Sequence, residues 1–202
     1  FIEKQNKEAS KDTFKIKYID SIKSWSAPFV MSIANTRVVR RSVELHELNQ
    51  SGYGSDFTYK EFMNVKKYSS ALMVSIGLAI LGLMIVSPIS SLFRKLFTKP
   101  GNGPDKKTRD NGWFESIFIG KNNNNEFYKL RIYGDGDPGY KTTAKFICES
   151  ALCLVKSDGY LENTNKGGVL TTATGLGDHL IKRLKNADIL FEGPEKIAKT
   201  IT

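Results

Sequence analysis

The 202 residues carry a formal net charge of +9, with 40% hydrophobic and 25% charged residues, enough chain for one domain or two small ones around a substantial core. The positive balance is not gathered into a basic stripe with interleaved aromatics, and no finger, helix-turn-helix or single-strand motif is legible, which argues against a nucleic-acid partner. The two cysteines, Cys148 and Cys153, fall about 140° apart around a helix in a periodic apolar pattern and read as buried thiols in a reducing compartment, with neither a disulfide nor a metal site.

Residues 1 to 24 mix lysines with short apolar alternations and lack the basic, apolar, small-residue order of a secretory signal. With Phe1 leading, the chain reads as processed or as a piece of something longer. "SWSAPFVMSIANTRVVRRSVELHELNQ" then gives an irregular proline-containing segment and a helix capped by Asn35, with positions 38, 39, 43, 45 and 48 facing inward and an end before Gly52. Arg40 and Arg41 point about 100° apart on that helix, so they do not form an anion clamp by themselves. His46, between Glu44 and Glu47, reads as structural or exposed.

From Tyr68 to Phe93 no residue carries a charge. One straight helix over this run would extend about 39 Å, more than the roughly 30 Å hydrocarbon core of a bilayer. Lys60, Lys66 and Lys67 precede it and Arg94, Lys95 and Lys99 follow it, so both flanks favour the cytosolic side. A hairpin or in-plane insertion satisfies both flanks. A single spanning helix, or a helix buried under other protein, is the alternative. The expected location is therefore a membrane such as that of the endoplasmic reticulum, with the polar parts facing the cytosol.

Residues 94 to 112 read as a linker, rich in Pro, Gly, Asn and charge. "WFESIFIG" and "NEFYKLRIYG" alternate as two antiparallel strands with one apolar face. "YGDGDPGYKTTAKFICESALCLV" closes the second strand at Tyr133 and turns through Gly134 to Gly139, with Gly136 and the Asp137-Pro138-Gly139 signal inside it, into a helix from about Thr142 or Thr143 whose inward positions are Ala144, Ile147, Cys148, Ala151, Leu152 and Val155. A dinucleotide fingerprint needs its glycines in another setting, with a late acidic residue, and a P-loop needs a lysine and a hydroxyl in fixed register. The loop is a turn first. Asp135 and Asp137 would share a face if the strand continued, the arrangement in which one carboxyl of a pair keeps its proton. Gly167 and Gly168 open a second turn into a helix with Leu176, Leu180, Ile181 and Leu184 inward, followed by a short strand from Ile189 to Phe191. No metal site is indicated.

The order of these segments resembles the C-terminal half of the saccharopine dehydrogenase-like oxidoreductases, in particular their membrane and lipid-droplet branch. Trp25, Pro28, Phe29, Arg40 and Arg41 carry the resemblance early. The run "GDGDPGYKTTAKFICESALCLV" and the run "GGVLTTATGLGDHLIKRLKNADILF" carry it later, so that it covers about residues 22 to 191. The resemblance implies an α/β fold with a mixed or antiparallel sheet, packed helices and a hydrophobic membrane-associated insertion, the Rossmann nucleotide-binding half being absent. It divides the chain into an N-terminal part of the α/β domain (1–67), the hydrophobic segment (68–93), the linker (94–112) and a C-terminal α/β part (113–202).

By the same resemblance the chain is part of an NAD(P)-dependent oxidoreductase of unknown substrate, with no cofactor for this chain alone and NAD or NADP for a full-length protein. Its expected partners are a membrane or lipid-droplet surface and a missing N-terminal Rossmann domain, and a homodimer is allowed. Arg40, Arg41, Asp137 and Tyr140 are the candidates for substrate or domain contact. No catalytic residue stands out. The competing reading is a non-enzymatic lipid-surface scaffold on a degenerate oxidoreductase fold.

Overall fold

The computed structural model describes residues 14–48, 52–54, 57–87, 101, 103–156 and 168–198. They belong to two compact units, the second beginning at Gly103.

The first unit is built on a three-stranded antiparallel sheet ordered β1 (Lys17–Ile19), β2 (Ser24–Ala27), β3 (Met63–Val65). A 3-10 turn, Asp20–Ile22, joins β1 to β2, and Lys23 closes it in the left-handed region at φ 48°. Helix α1 (Ser32–Leu48) follows the buried Pro28 and a turn in which the Ser32 amide donates to the Phe29 carbonyl. That turn starts the helix one turn earlier than Asn35, whose side chain donates to Glu61 instead of capping. The inward face also differs from the expected one. Ser32, Thr36, Ser42 and Val43 are buried, whereas Val38 and Leu48 are exposed. Small hydroxyl residues seat this helix, and each buried hydroxyl must find a partner. Thr36 Oγ1 donates to the Ser32 carbonyl at 2.6 Å and Ser42 Oγ to the Val38 carbonyl at 3.0 Å.

Helix α2 (Tyr68–Val86) corrects the expectation of a membrane-associated insertion. Among the described residues no helix is long and apolar enough to cross a membrane. The helix stops at Val86, where Ser87 turns extended, so it is about 28 Å long and short of the roughly 39 Å that one straight helix over the whole run would reach; residues 88–93 of the run lie outside the described residues. It is also not separate from the fold. Ala71 is fully buried, Tyr68 meets Trp25 edge to face at 5.0 Å, and α2 lies against β2 and β3.

The second unit holds a three-stranded antiparallel sheet ordered β4 (Trp113–Lys121), β5 (Phe127–Asp135), β6 (Leu190–Ile197). β4 and β5 pair without interruption from Trp113↔Asp135 to Lys121↔Phe127. Asn122 closes their connection by accepting the amides of Asn124 and Glu126 on its side-chain oxygen. β6 is longer than the expected three residues and runs through a cis Gly193–Pro194 peptide, opposite an irregularity between Lys129 and Arg131. Within the expected linker a short helix, α3 (Lys106–Asn111), is capped by the Asp105 side chain accepting the Thr108 amide at 2.8 Å.

Helices α4 (Lys141–Lys156), α5 (Thr172–Gly175) and α6 (Gly177–Asn186) complete the unit. α4 is rotated from its expected orientation. Thr142 and Cys153 are buried, Phe146 meets Phe114 of β4 at 5.7 Å, and Glu149 reaches Arg183 of α6 at 2.7 Å. Ile147, Leu154, Val155 and Cys148, by contrast, are exposed, so Cys148 is not the buried thiol the periodicity predicts. Ile189, Leu176 and Leu184 fill the core.

Candidate functional site

The loop from Gly134 to Lys141 joins β5 to α4, and two of its glycines are required for different reasons. Gly134 is buried in the sheet, where a Cβ would come within 2.5 Å of the Phe114 ring and 2.9 Å of Ile189. Gly136 takes φ +101°, a left-handed conformation that side chains resist. The positive angle falls there and not at Gly139, where the turn chemistry of Asp-Pro-Gly places it. The Gly136 amide donates to the Gly112 carbonyl at 2.7 Å, and the backbones approach so closely that a Cβ on Gly112 would lie 2.6 Å from the Asp137 amide nitrogen.

Asp137 then folds its carboxylate over the start of α4. Oδ2 accepts the Tyr140 amide at 2.9 Å and Oδ1 the Lys141 amide at 3.1 Å, satisfying amides that a helix start leaves open. Below it, Thr142 is fully buried and donates to the Gly136 carbonyl at 2.9 Å. Lys141 reaches out to Asp110 at 2.9 Å, and the hydrogen bond from that ammonium holds the Asp110 carboxyl below its usual range. Tyr140 remains half exposed beside Gly103.

Gly134, Gly136 and Gly139 have the spacing of a dinucleotide fingerprint, which makes the fit of a nucleotide testable. It does not fit. The amides that would face a pyrophosphate already serve the Asp137 carboxylate, and the neighbours of β5 are both antiparallel, so no parallel β-α-β unit surrounds the loop. The expected carboxylate pair is not formed either. β5 ends at Asp135, which accepts from the Tyr133 hydroxyl at 2.7 Å, while Asp137 serves the helix.

One constellation escapes sequence reading. On the face of the sheet away from Phe114, Arg131 donates to both Glu115 of β4 and Glu192 of β6, and its guanidinium lies 5.2 Å from the centre of the Tyr133 ring. Trp113 stacks on Tyr133 at 6.4 Å and is 61% exposed. The two carboxylate bonds hold Arg131 firmly charged, and the bond to Asp135 raises the Tyr133 hydroxyl above its ordinary range. The only trace in the sequence is that these residues share one parity on β4 and β5.

The remaining candidates are divided between the two units. Arg40 and Arg41 lie on α1 of the first unit, Arg40 half-buried and Arg41 paired with Glu44 at 3.4 Å, whereas Asp137 and Tyr140 belong to the second. His46 meets Tyr53 edge to face at 5.3 Å. Gly168 takes φ +126° in open space, and Gly167 lies outside the described residues. Among the described residues no group of His, Cys, Asp and Glu is arranged to hold a metal ion.

No protein-family model matches the chain, and no solved structure matches it. Curated relatives do. A Mycobacterium tuberculosis protein provisionally named a trans-acting enoyl reductase is 35% identical over 176 residues, which is 83% of this chain and 41% of the relative. The trans-acting enoyl reductase of Mycobacterium bovis is 30% identical over 175 residues, 83% of this chain and 40% of its own length. That of Mycobacterium ulcerans is 30% identical over 82% of this chain and 40% of its own length. The matches thus span about two fifths of these relatives. They correct the resemblance to saccharopine dehydrogenase-like oxidoreductases, because the relatives bear the name of a different family of reductases, and nothing in the matches supports a transmembrane or lipid-droplet character.

Proposed function

We propose that this chain forms a portion of a reductase that saturates an activated carbon–carbon double bond in trans, on a substrate not carried by its own chain. The similarity of 83% of the chain to proteins named trans-acting enoyl reductase is the observation that supports the reading. Such a reduction adds a hydride to one carbon and a proton to its neighbour, and a reduced nicotinamide, NADH or NADPH, is the proposed hydride source for the whole protein. The described residues do not build a dinucleotide site, so the proposed nucleotide-binding region lies outside them. That dinucleotide-binding region is the chain's proposed partner.

A chimera tests this. Replacing the matching segment of the Mycobacterium tuberculosis relative by this chain is expected to preserve NADPH-dependent reduction of an α,β-unsaturated thioester, followed by the loss of NADPH absorbance. A chimera that folds and binds NADPH yet reduces nothing overturns the reading.

A further inference from the structure

The two edges of the second sheet are built differently. β6 is a poor template for another strand. Pro194 has no amide to donate, and Gly193 sits at φ +102°. β4 carries none of these protections. Its nine residues contain no proline, all nine are in continuous register with β5, and among the described residues it has a neighbouring strand on one side only. Phe118 remains 38% exposed on it. Long, regular, apolar edges of this kind recruit a further strand.

We infer that β4 pairs antiparallel with β4 of a second copy of this chain about a two-fold axis at Phe118, joining two three-stranded sheets into one of six strands. The inference goes beyond the proposed reductase reading and does not depend on it. An isologous contact must be self-complementary, and this register is. It places Glu115 opposite Lys121 of the second copy and, by symmetry, Lys121 opposite Glu115. Ile117 and Ile119 face one another twice between these charges. Directly opposed side chains lie on one face, so the opposite charges and the isoleucines meet across the junction. An axis one residue earlier, at Ile117, sets Glu115 against Ile119 and forfeits both charge pairs.

Centring the axis on a residue also pairs positions of equal parity, which brings outward amides against outward carbonyls. Glu115 can serve both Arg131 and the incoming lysine, because a carboxylate has two oxygens to offer. Lys121 holds its ammonium 5.9 Å from the centre of the Phe127 ring, at the end of a stem long enough to turn across the junction.

Cross-linking and light scattering on the full chain test this. In a Cys148→Ser background, Phe118→Cys places two thiols across the axis with Cα atoms about 4.5–5.5 Å apart, within disulfide reach. Mild oxidation is expected to yield a covalent dimer, whereas Ser116→Cys, opposite Gly120 of the second copy, yields none. Light scattering is expected to show a dimer. Glu115→Lys raises its dissociation constant roughly tenfold by turning two attractions into repulsions, and adding Lys121→Glu restores it. A monomer at all concentrations overturns the inference, as does equal cross-linking at positions 116 and 118. So does a dimer indifferent to charge reversal, which would place the contact elsewhere, for example on the apolar surface of α2. The cross-link at position 118 keeps the test decisive if the charge variant does not fold.

Discussion

The two units solve close packing in different ways. The first buries mostly small side chains, Ser24, Ser26, Ala27, Ser32, Thr36 and Ala71, with Val43 among them, and leaves large apolar ones such as Met73 and Leu83 of α2 outside. The second buries Ile189, Leu176 and Leu184, and admits close backbone approach at single glycines such as Gly112 and Gly193. Where a whole interface is built of hydroxyls and methyls, its polar atoms must be answered locally. Ser26 does this by accepting the Lys17 amide and donating to the Lys17 carbonyl, and α1 does it through its own carbonyls. Where large side chains fill the core, one missing Cβ carries the constraint instead.

The contrast breaks first at Gly112. Gly112→Val is expected to cost about 3 kcal/mol, because its Cβ meets the Asp137 backbone at 2.6 Å, and main chain yields less readily than a flexible side chain. Thermal unfolding checks it, and a change below about 1 kcal/mol would mean that the loop moves freely. Ala71→Leu probes the first unit in the same way, with an expected loss of about 2 kcal/mol from overpacking a fully buried methyl. Unchanged stability there would show that the small-residue interface has slack.

A finer comparison lies within one loop. Gly136→Ala is expected to cost about 1 kcal/mol from its left-handed angle, and Gly139→Ala less, since no strain attaches to its φ and its Cβ would meet only the Asp137 carboxylate, at 3.3 Å. Asp137→Ala is expected to cost about 1 kcal/mol through loss of the cap. Chemical denaturation of the three variants ranks them, and equal loss at both glycines would refute the assignment of the turn.

The smallest effect is electrostatic. Glu126 is held at about 2, below its ordinary 4.5, chiefly by the hydrogen bond from Lys196 and then by those from Asn122 and Tyr128. A depressed carboxyl contributes stability that is complete above its ordinary value and is lost as pH falls through about 2. In Lys196→Ala the Glu126 titration, followed by NMR, is expected to move up toward 4.5. A titration that stays put would show that Asn122 and Tyr128 suffice.

The β4 and β5 strands are legible in the sequence because residue alternation alone determines which side chains share a face, and the turn at Asp137 is legible because its residue types are restrictive. The orientation of α4 is not. Its most apolar stripe, through Ile147 and Val155, is exposed, while the buried face is set by the Phe146 contact with Phe114 and the Glu149 pair with Arg183, partners far along the chain. For the same reason Arg131 was invisible as a hub. Its partners come from two other strands, and only the register brings Glu115 and Glu192 to it. The spacing of Gly134, Gly136 and Gly139 shows the opposite hazard, a pattern that matches in letters and differs in setting.

The chain's two tryptophans fall one to each unit, which makes it its own pair of optical probes. Trp25 is half-buried between the edges of Tyr18 and Tyr68, at 5.2 and 5.0 Å, whereas Trp113 stands largely in solvent against Tyr133. Their emission should therefore differ in colour, Trp25 to the blue of Trp113. Trp113→Phe leaves a reporter that sees the small-residue unit alone, and Trp25→Phe one that sees the other. Coincident denaturation curves from the two would mean that the units melt as one cooperative body, and separated curves would assign a stability to each without cutting the chain.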